Sequence, residues 1–122
     1  MERVKALGRL LFMGIFVRGA WDLFREPTPR AEQARRIGLP VSDQFASWCG
    51  ASMIAAACLL QLPPLRRPAA ALIALELPIF TAIGHRFWEY EDGPQRAQNR
   101  LHFFKNLSLI GAATYIAADR QG

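Results

Sequence analysis

The sequence has only two cysteines and two histidines in 122 residues, too few for a disulfide-stapled small domain. It also lacks a phosphate loop, a dinucleotide fingerprint and any Ser/His/Asp arrangement at catalytic spacing. Cys49 and Cys58 are nine residues apart. On a helix that is about 13.5 Å along the axis and on opposite faces, so they cannot bridge and read as small hydrophobes. His85 and His102 can approach one another, but without a third ligand they make no convincing metal site, and hydrogen bonding is the role their positions support. Internal repeats and low-complexity segments are missing too. Disorder is excluded by what is plentiful, since 52% of the residues are hydrophobic. The length suits one domain.

The net charge of +5 raises nucleic acid as a partner, and the placement of the basic residues argues against it. They fall in the gaps between apolar segments, as Arg25, Arg30, Arg35 and Arg36, then Arg66 and Arg67, then Arg86, Arg96 and Arg100. Loops flanking membrane spans carry this pattern, because anionic headgroups attract Lys and Arg. The lipid bilayer, not nucleic acid, is the expected partner.

Four apolar stretches cover about residues 4–24, 45–62, 68–84 and 101–118. Each approaches the roughly 17–25 residues that a helix needs to cross about 30 Å of hydrocarbon. Only the second is free of charge; the first contains Arg9, Arg18 and Asp22, the third Glu76 and the fourth Lys105. A strict hydropathy count therefore accepts one span and leaves a water-soluble four-helix bundle open. The tryptophans separate the two readings. With antiparallel helices, Trp21, Trp48 and Trp88 all come to one end of the bundle, with Phe45, Phe87, Tyr90, Phe103 and Phe104. An interfacial aromatic belt has this form. Small residues at spacing four, namely Ser47, Ala51 and Ala55, Ala70 and Ala74, and Ser108 and Ala112, match the close helix contacts found in lipid. The expected fold class is all-α: an antiparallel four-helix transmembrane bundle forming one domain.

The connections are legible. Glu26-Pro27-Thr28-Pro29 stops the first helix, and Ala31, Ala34 and Ile37 then mark a short amphipathic, interfacial helix ending at Gly38 and Pro40. Pro63-Pro64-Leu65-Arg66-Arg67-Pro68 is a tight link, and Asp92-Gly93-Pro94 a turn. The first stretch does not read as a cleaved signal peptide, because Arg18 follows its apolar run and no small-x-small site is present. Basic residues divide six against seven between the two sets of loops, and their density next to the span ends favours cytoplasmic termini.

Ionisable groups at membrane depth are functional candidates. Arg18, Asp22, Glu76, Lys105 and Asn106 all fall in the half adjoining the first and third loops, with His85 at the end of the third stretch. They are expected to form one inward-facing polar cluster beneath the aromatic belt. One reading is a neutralised network that fixes helix order; the other is a binding site for a small polar or quinone-like ligand. Pro78 favours the second, since it frees the Ala74 carbonyl and opens the helix beside Glu76.

Four segments carry a family resemblance. Gly8-Arg9-Leu10-Leu11-Phe12, Ile37-Gly38-Leu39-Pro40, His85-Arg86-Phe87-Trp88 and Phe103-Phe104-Lys105-Asn106-Leu107-Ser108-Leu109-Ile110-Gly111 resemble, in order and spacing, the DoxX family of small bacterial membrane proteins. The resemblance implies four transmembrane helices in the bacterial cytoplasmic membrane. It also implies, for some members, association with oxidoreductase systems, including quinone-linked thiosulfate oxidation and a membrane complex with a superoxide dismutase and a sulfurtransferase. Two functions follow as expectations. In the first, the chain is a non-catalytic membrane subunit or anchor for a soluble oxidoreductase, docking through Arg30, Arg35 and Arg36. In the second, the Arg18/Glu76/Lys105 cluster binds a quinone or a sulfur anion. A transporter would need a homo-oligomer to make a path. No redox cofactor site is evident, so an enzyme working alone is not expected.

Overall fold

Proline and glycine divide the chain into helices. Helix α1 (Glu2–Arg25) stops before Pro27, and α2 (Thr28–Arg36) starts with Pro29 in its first turn, where a missing N–H costs nothing. Gly38, at φ 89°, closes α2 in the left-handed region while its N–H donates to Arg35 O. Ser42 caps α3 (Asp43–Leu59) by accepting from the Phe45 N–H at 3.0 Å. A 3₁₀ turn over Pro63–Leu65 leads into α4 (Arg66–Gly84). Another at Phe87–Glu89 precedes Gly93, φ 149°, and Pro94, which open α5 (Pro94–Ala118). This computed structural model describes residues 1–120, all-helical and without strands among them. The short helix expected in the first loop is α2. Pro78 does not break α4, which runs through it; Thr81 Oγ1 donates to the Leu77 carbonyl at 2.7 Å in that turn.

Cross-helix contacts give the topology. Ser47 Oγ donates to Phe24 O at 2.9 Å while Gln61 reaches Met13, so α1 and α3 run antiparallel. Ser52 meets Glu76 and Arg66 Nε donates to Leu60 O, so α3 and α4 do too. Asn106 meets Thr81, and Arg67 Nε donates to Ala117 O, which sets α5 antiparallel to α4. The order around the bundle is α1, α3, α4, α5. Helix α2 packs across α3 and α4 through the buried Ala31 and Ala34, whereas α1 and α5 scarcely touch.

The interior is built from small residues. Ala20, Ala56, Ala57, Ala69, Ala70 and Ala113 are buried, joined by Phe16, Met53, Leu60, Ile73 and Leu77. The tightest crossing is at Gly50, where a Cβ would lie 2.7 Å from Phe24 N and 2.8 Å from Ala20 O. The expected small-residue faces need correction. In α3 the buried residues are Ala46, Gly50, Met53, Ala56 and Ala57; Ser47 and Ala51 flank them half-buried, Ser47 on the contact with α1, and Ala55 is exposed. In α5 Ser108 and Ala112 are exposed, and Asn106 and Ala113 are buried instead. Alanine is so frequent that spacing four recurs on several faces, and only the partner helix decides which is used. Ala70, buried, and Ala74, half-buried, do face inward.

Large apolar side chains lie outside this core. Leu11, Leu75, Leu101 and Tyr115 are each at least 69% exposed, and Leu7, Leu10, Phe45, Trp48, Ile79 and Phe104 are exposed with them. Among the described residues one stretch, Pro63–Glu89 around α4, is long and apolar enough to cross a membrane. The charge-free second stretch is not that one. Its helix α3 has 17 residues, about 25 Å at 1.5 Å per residue against a hydrocarbon core of about 30 Å.

Backbone faces backbone at Gly50, so no side-chain movement can relieve an added methyl there. Gly50→Ala is expected to destabilise the purified protein by about 1–3 kcal/mol in equilibrium unfolding. Gly14, with open space around its Cβ position, is the control. Gly14→Ala should leave stability unchanged or raise it by up to about 1 kcal/mol.

Candidate functional site

The buried core, with Ala57, Leu60, Ala69 and Ala113, lies toward the end carrying the α3–α4 link, and α1 and α5 scarcely touch. The gap is a cleft of about 880 Å³ reaching all four long helices. Its walls are apolar, with Ile15, Phe16, Leu23, Met53, Phe80 and Leu109, and α2 with the following Leu39–Val41 segment covers its end.

Five of the six expected site residues line this cleft: Arg18, Glu76, His85, Lys105 and Asn106. Asp22 does not; it pairs with Arg18 Nη1 at 2.7 Å, and both side chains are largely exposed. The expected inward-facing network of two positive and two negative charges is therefore not formed. The reason is axial offset. Asn106 Nδ2 donates to Thr81 Oγ1 at 3.0 Å, which sets those two residues at one level. Lys105 then lies roughly 9 Å along the bundle axis from Glu76, six residues at 1.5 Å each.

The polar lining is thus divided. Deep in the cleft, Glu76 Oε1 accepts from Ser52 Oγ at 2.9 Å, while its Oε2 is buried without a partner. Toward α2, Lys105 Nζ lies 3.3 Å from His102 Nδ1, and the His85 and His102 rings stack with centroids 5.2 Å apart. His85 Nδ1 is 3.3 Å from Asn99 Oδ1. Arg30 joins this group. A Cβ on Gly84 would sit 2.5 Å from its Nη1, so the guanidinium lies directly over that glycine, and Nη1 donates to Gln33 Oε1 at 3.1 Å. The charges of Arg30 and Lys105 both bear on the two imidazoles.

Arg30, His102, Ser52 and Thr81 were not among the expected site residues. His102 stands three positions before Lys105, on the same helical face, which was the available signal. Arg30 was read as part of a docking surface with Arg35 and Arg36. Arg35 is also engaged within the chain, donating to Val41 O at 2.8 Å and pairing with Asp43 at 3.2 Å. The aromatic gathering is present at this end: Phe87 lies 5.3 Å from Trp88 and 5.4 Å from Phe103, and Trp21 lies 5.9 Å from Phe24. Cys49 lines the cleft, Cys58 is outside it, and both are free thiols. No group of three or more metal-ligating side chains occurs among the described residues. Comparison of the chain with protein-family models, with curated proteins and with solved structures finds no match.

Helix α2 is tied down at Asp43. The Thr28 hydroxyl donates to one carboxylate oxygen at 2.8 Å and the Arg35 guanidinium to the other. The Thr28 bond first, then Arg35, hold the carboxyl below its ordinary value of 3.8. A depressed carboxyl contributes stability that is complete above its ordinary value and lost as pH falls through the folded one. Protection of the Ala31 and Ala34 amides, taken as the exchange rate relative to the intrinsic rate at each pH, is therefore expected to fall once the pH drops below 3.8. Asp43→Asn should lower that protection at neutral pH and flatten its pH dependence.

Proposed function

We propose that this chain is an integral membrane protein of the DoxX type, a four-helix bundle in a bacterial cytoplasmic membrane, that binds a lipid-soluble molecule with a polar head and serves an oxidoreductase system as a non-catalytic subunit. The observation that carries the ligand role is the cleft, apolar along its walls and polar at two levels, running out through the open seam between α1 and α5. Ligand sites commonly have this make-up, a mostly apolar concavity with a few placed polar groups. Its donors, Lys105, Arg30, the imidazoles and the Asn106 amide, suit a head group that accepts hydrogen bonds. Quinones belong to that class.

The membrane reading draws support from the inversion of the usual soluble pattern. An alanine-rich interior with leucine, tryptophan and phenylalanine outside suits association of helices in lipid, where close approach rather than apolar burial drives packing. The aromatic end and the basic loops agree with it. The four spans, cytoplasmic termini and any soluble oxidoreductase partner belong to the same proposal. Engagement of Arg30 and Arg35 within the chain moves the weight from a docking loop to the cleft.

The test is purification from native membranes in mild detergent, after an alkaline carbonate wash, with mass spectrometry of solvent-extracted small molecules and co-purifying proteins. The expected result is retention in the washed membrane and a near-stoichiometric lipid-soluble molecule, depleted in Leu109→Trp, whose larger ring intrudes on the apolar wall, while the variant keeps its helical content. Release by carbonate would overturn the membrane reading. An empty wild-type protein, or equal recovery from Leu109→Trp, would overturn the ligand role.

A further inference from the structure

The cleft has a charge imbalance that a neutral ligand does not answer. Arg18, Arg30, Lys105, His85 and His102 line it, against the single acid Glu76. Arg18 is already paired with Asp22. Arg30 and Lys105 are in no ion pair with a carboxylate among the described residues. Glu76, offset from Lys105 by about 9 Å along the axis, is in no ion pair among the described residues and bonds to Ser52 instead. Two full positive charges and a pair of neighbouring imidazoles thus gather at the α2 end of an otherwise apolar cavity. Such an arrangement stabilises a negative charge placed among its members.

The rest of the cavity defines what is attached to that charge. Its long walls offer Ile15, Phe16, Leu23, Phe80 and Leu109, which a small inorganic anion would leave uncovered. At about 880 Å³ the cleft is large enough to take a long apolar chain as well as a head group. Helices α1 and α5, which scarcely touch, border it with Ile15 and Gly19 on one side and Leu109 on the other.

We infer that the cleft is a binding site for an anionic amphiphile, its head held by Arg30, Lys105, His85 and His102 and its tail lying along the apolar walls toward Glu76. This rests on the reading of the cleft as a membrane-facing ligand site and narrows its ligand to one with a full negative charge. Gly84 is part of the device: it leaves the space through which Arg30 reaches the head-group position.

The experiment uses the full chain in nanodiscs of neutral phosphatidylcholine. It measures binding of a fluorescent long-chain carboxylate, with displacement by its methyl ester, by a single-chain phosphate monoester, by a neutral short-tailed quinone and by inorganic phosphate. The expected result is saturable carboxylate binding with one site per chain and an ester about tenfold weaker or worse. Inorganic phosphate should not displace the probe, and the relative strengths of carboxylate and phosphate monoester identify the head group. Lys105→Gln and Arg30→Gln should each weaken the carboxylate and leave the ester unchanged. Ester or quinone binding as tight as the carboxylate would overturn the anionic head while leaving the ligand cleft standing; no binding of any amphiphile would overturn both. Carboxylate binding unaffected in both charge variants would also overturn the assignment. The ester comparison on the unaltered protein decides the matter even if a variant fails to fold.

Discussion

The contact between α1 and α3 at Gly50 governs the rest of the structure. Helix α1 has no substantial packing on α5, so its position is set by the side it shares with α3. There the approach is close enough that backbone meets backbone, with Ser47 Oγ bonded to the Phe24 carbonyl one turn away. A larger residue at position 50 would tilt α1 about this point and change the width of the seam on its far side. The cleft is the space left when α1 is fixed from one side only.

Much of the helix architecture was legible in the sequence. Pro27, Gly38, Pro63, Gly93 and Pro94 act within one or two residues of themselves, and the helices end within three residues of the expected stretches except at the start of α5, which begins at Pro94 and not near 101, because the polar turn after Pro94 is helical too. Even the short α2 was visible in Ala31 and Ala34. The inward faces were harder. Alanine, serine and glycine recur so often in α3 and α5 that several faces satisfy the same spacing, and the face that packs is chosen by the partner, which local sequence does not contain. Trp48 illustrates the other limit: it belongs to the aromatic end as expected, yet it stands outside the packed group formed by Phe87, Trp88, Phe103 and Phe104.

The site was legible as a region and not as a network. Depth along each helix brings Arg18, Glu76, His85, Lys105 and Asn106 to one cavity, because rise per residue is nearly constant. Pairing depends on side-chain direction and relative helix offset, and there opposite charge was a poor guide. Lys105 took His102, three positions before it, and Glu76 took Ser52 across the α3–α4 interface. Arg18 took its own i+4 neighbour, Asp22, a pairing that helical geometry alone permits. Arg30 reads from the sequence as a docking residue, because its reach to the cleft depends on the missing side chain at Gly84, more than fifty residues away in the chain.

The unequal lengths of the helices have a mechanical consequence. Helix α5 has 25 residues and α3 has 17, a difference of about 12 Å at 1.5 Å per residue. For such a bundle in a bilayer, the long helix must tilt or project past the headgroups, while the short one draws the leaflets together on its own side. The surrounding lipid would then be thinned asymmetrically, more beside α3 than beside α5. Local thickness of the bilayer would become a variable that biases the tilt of the bundle, and with it the separation of α1 from α5.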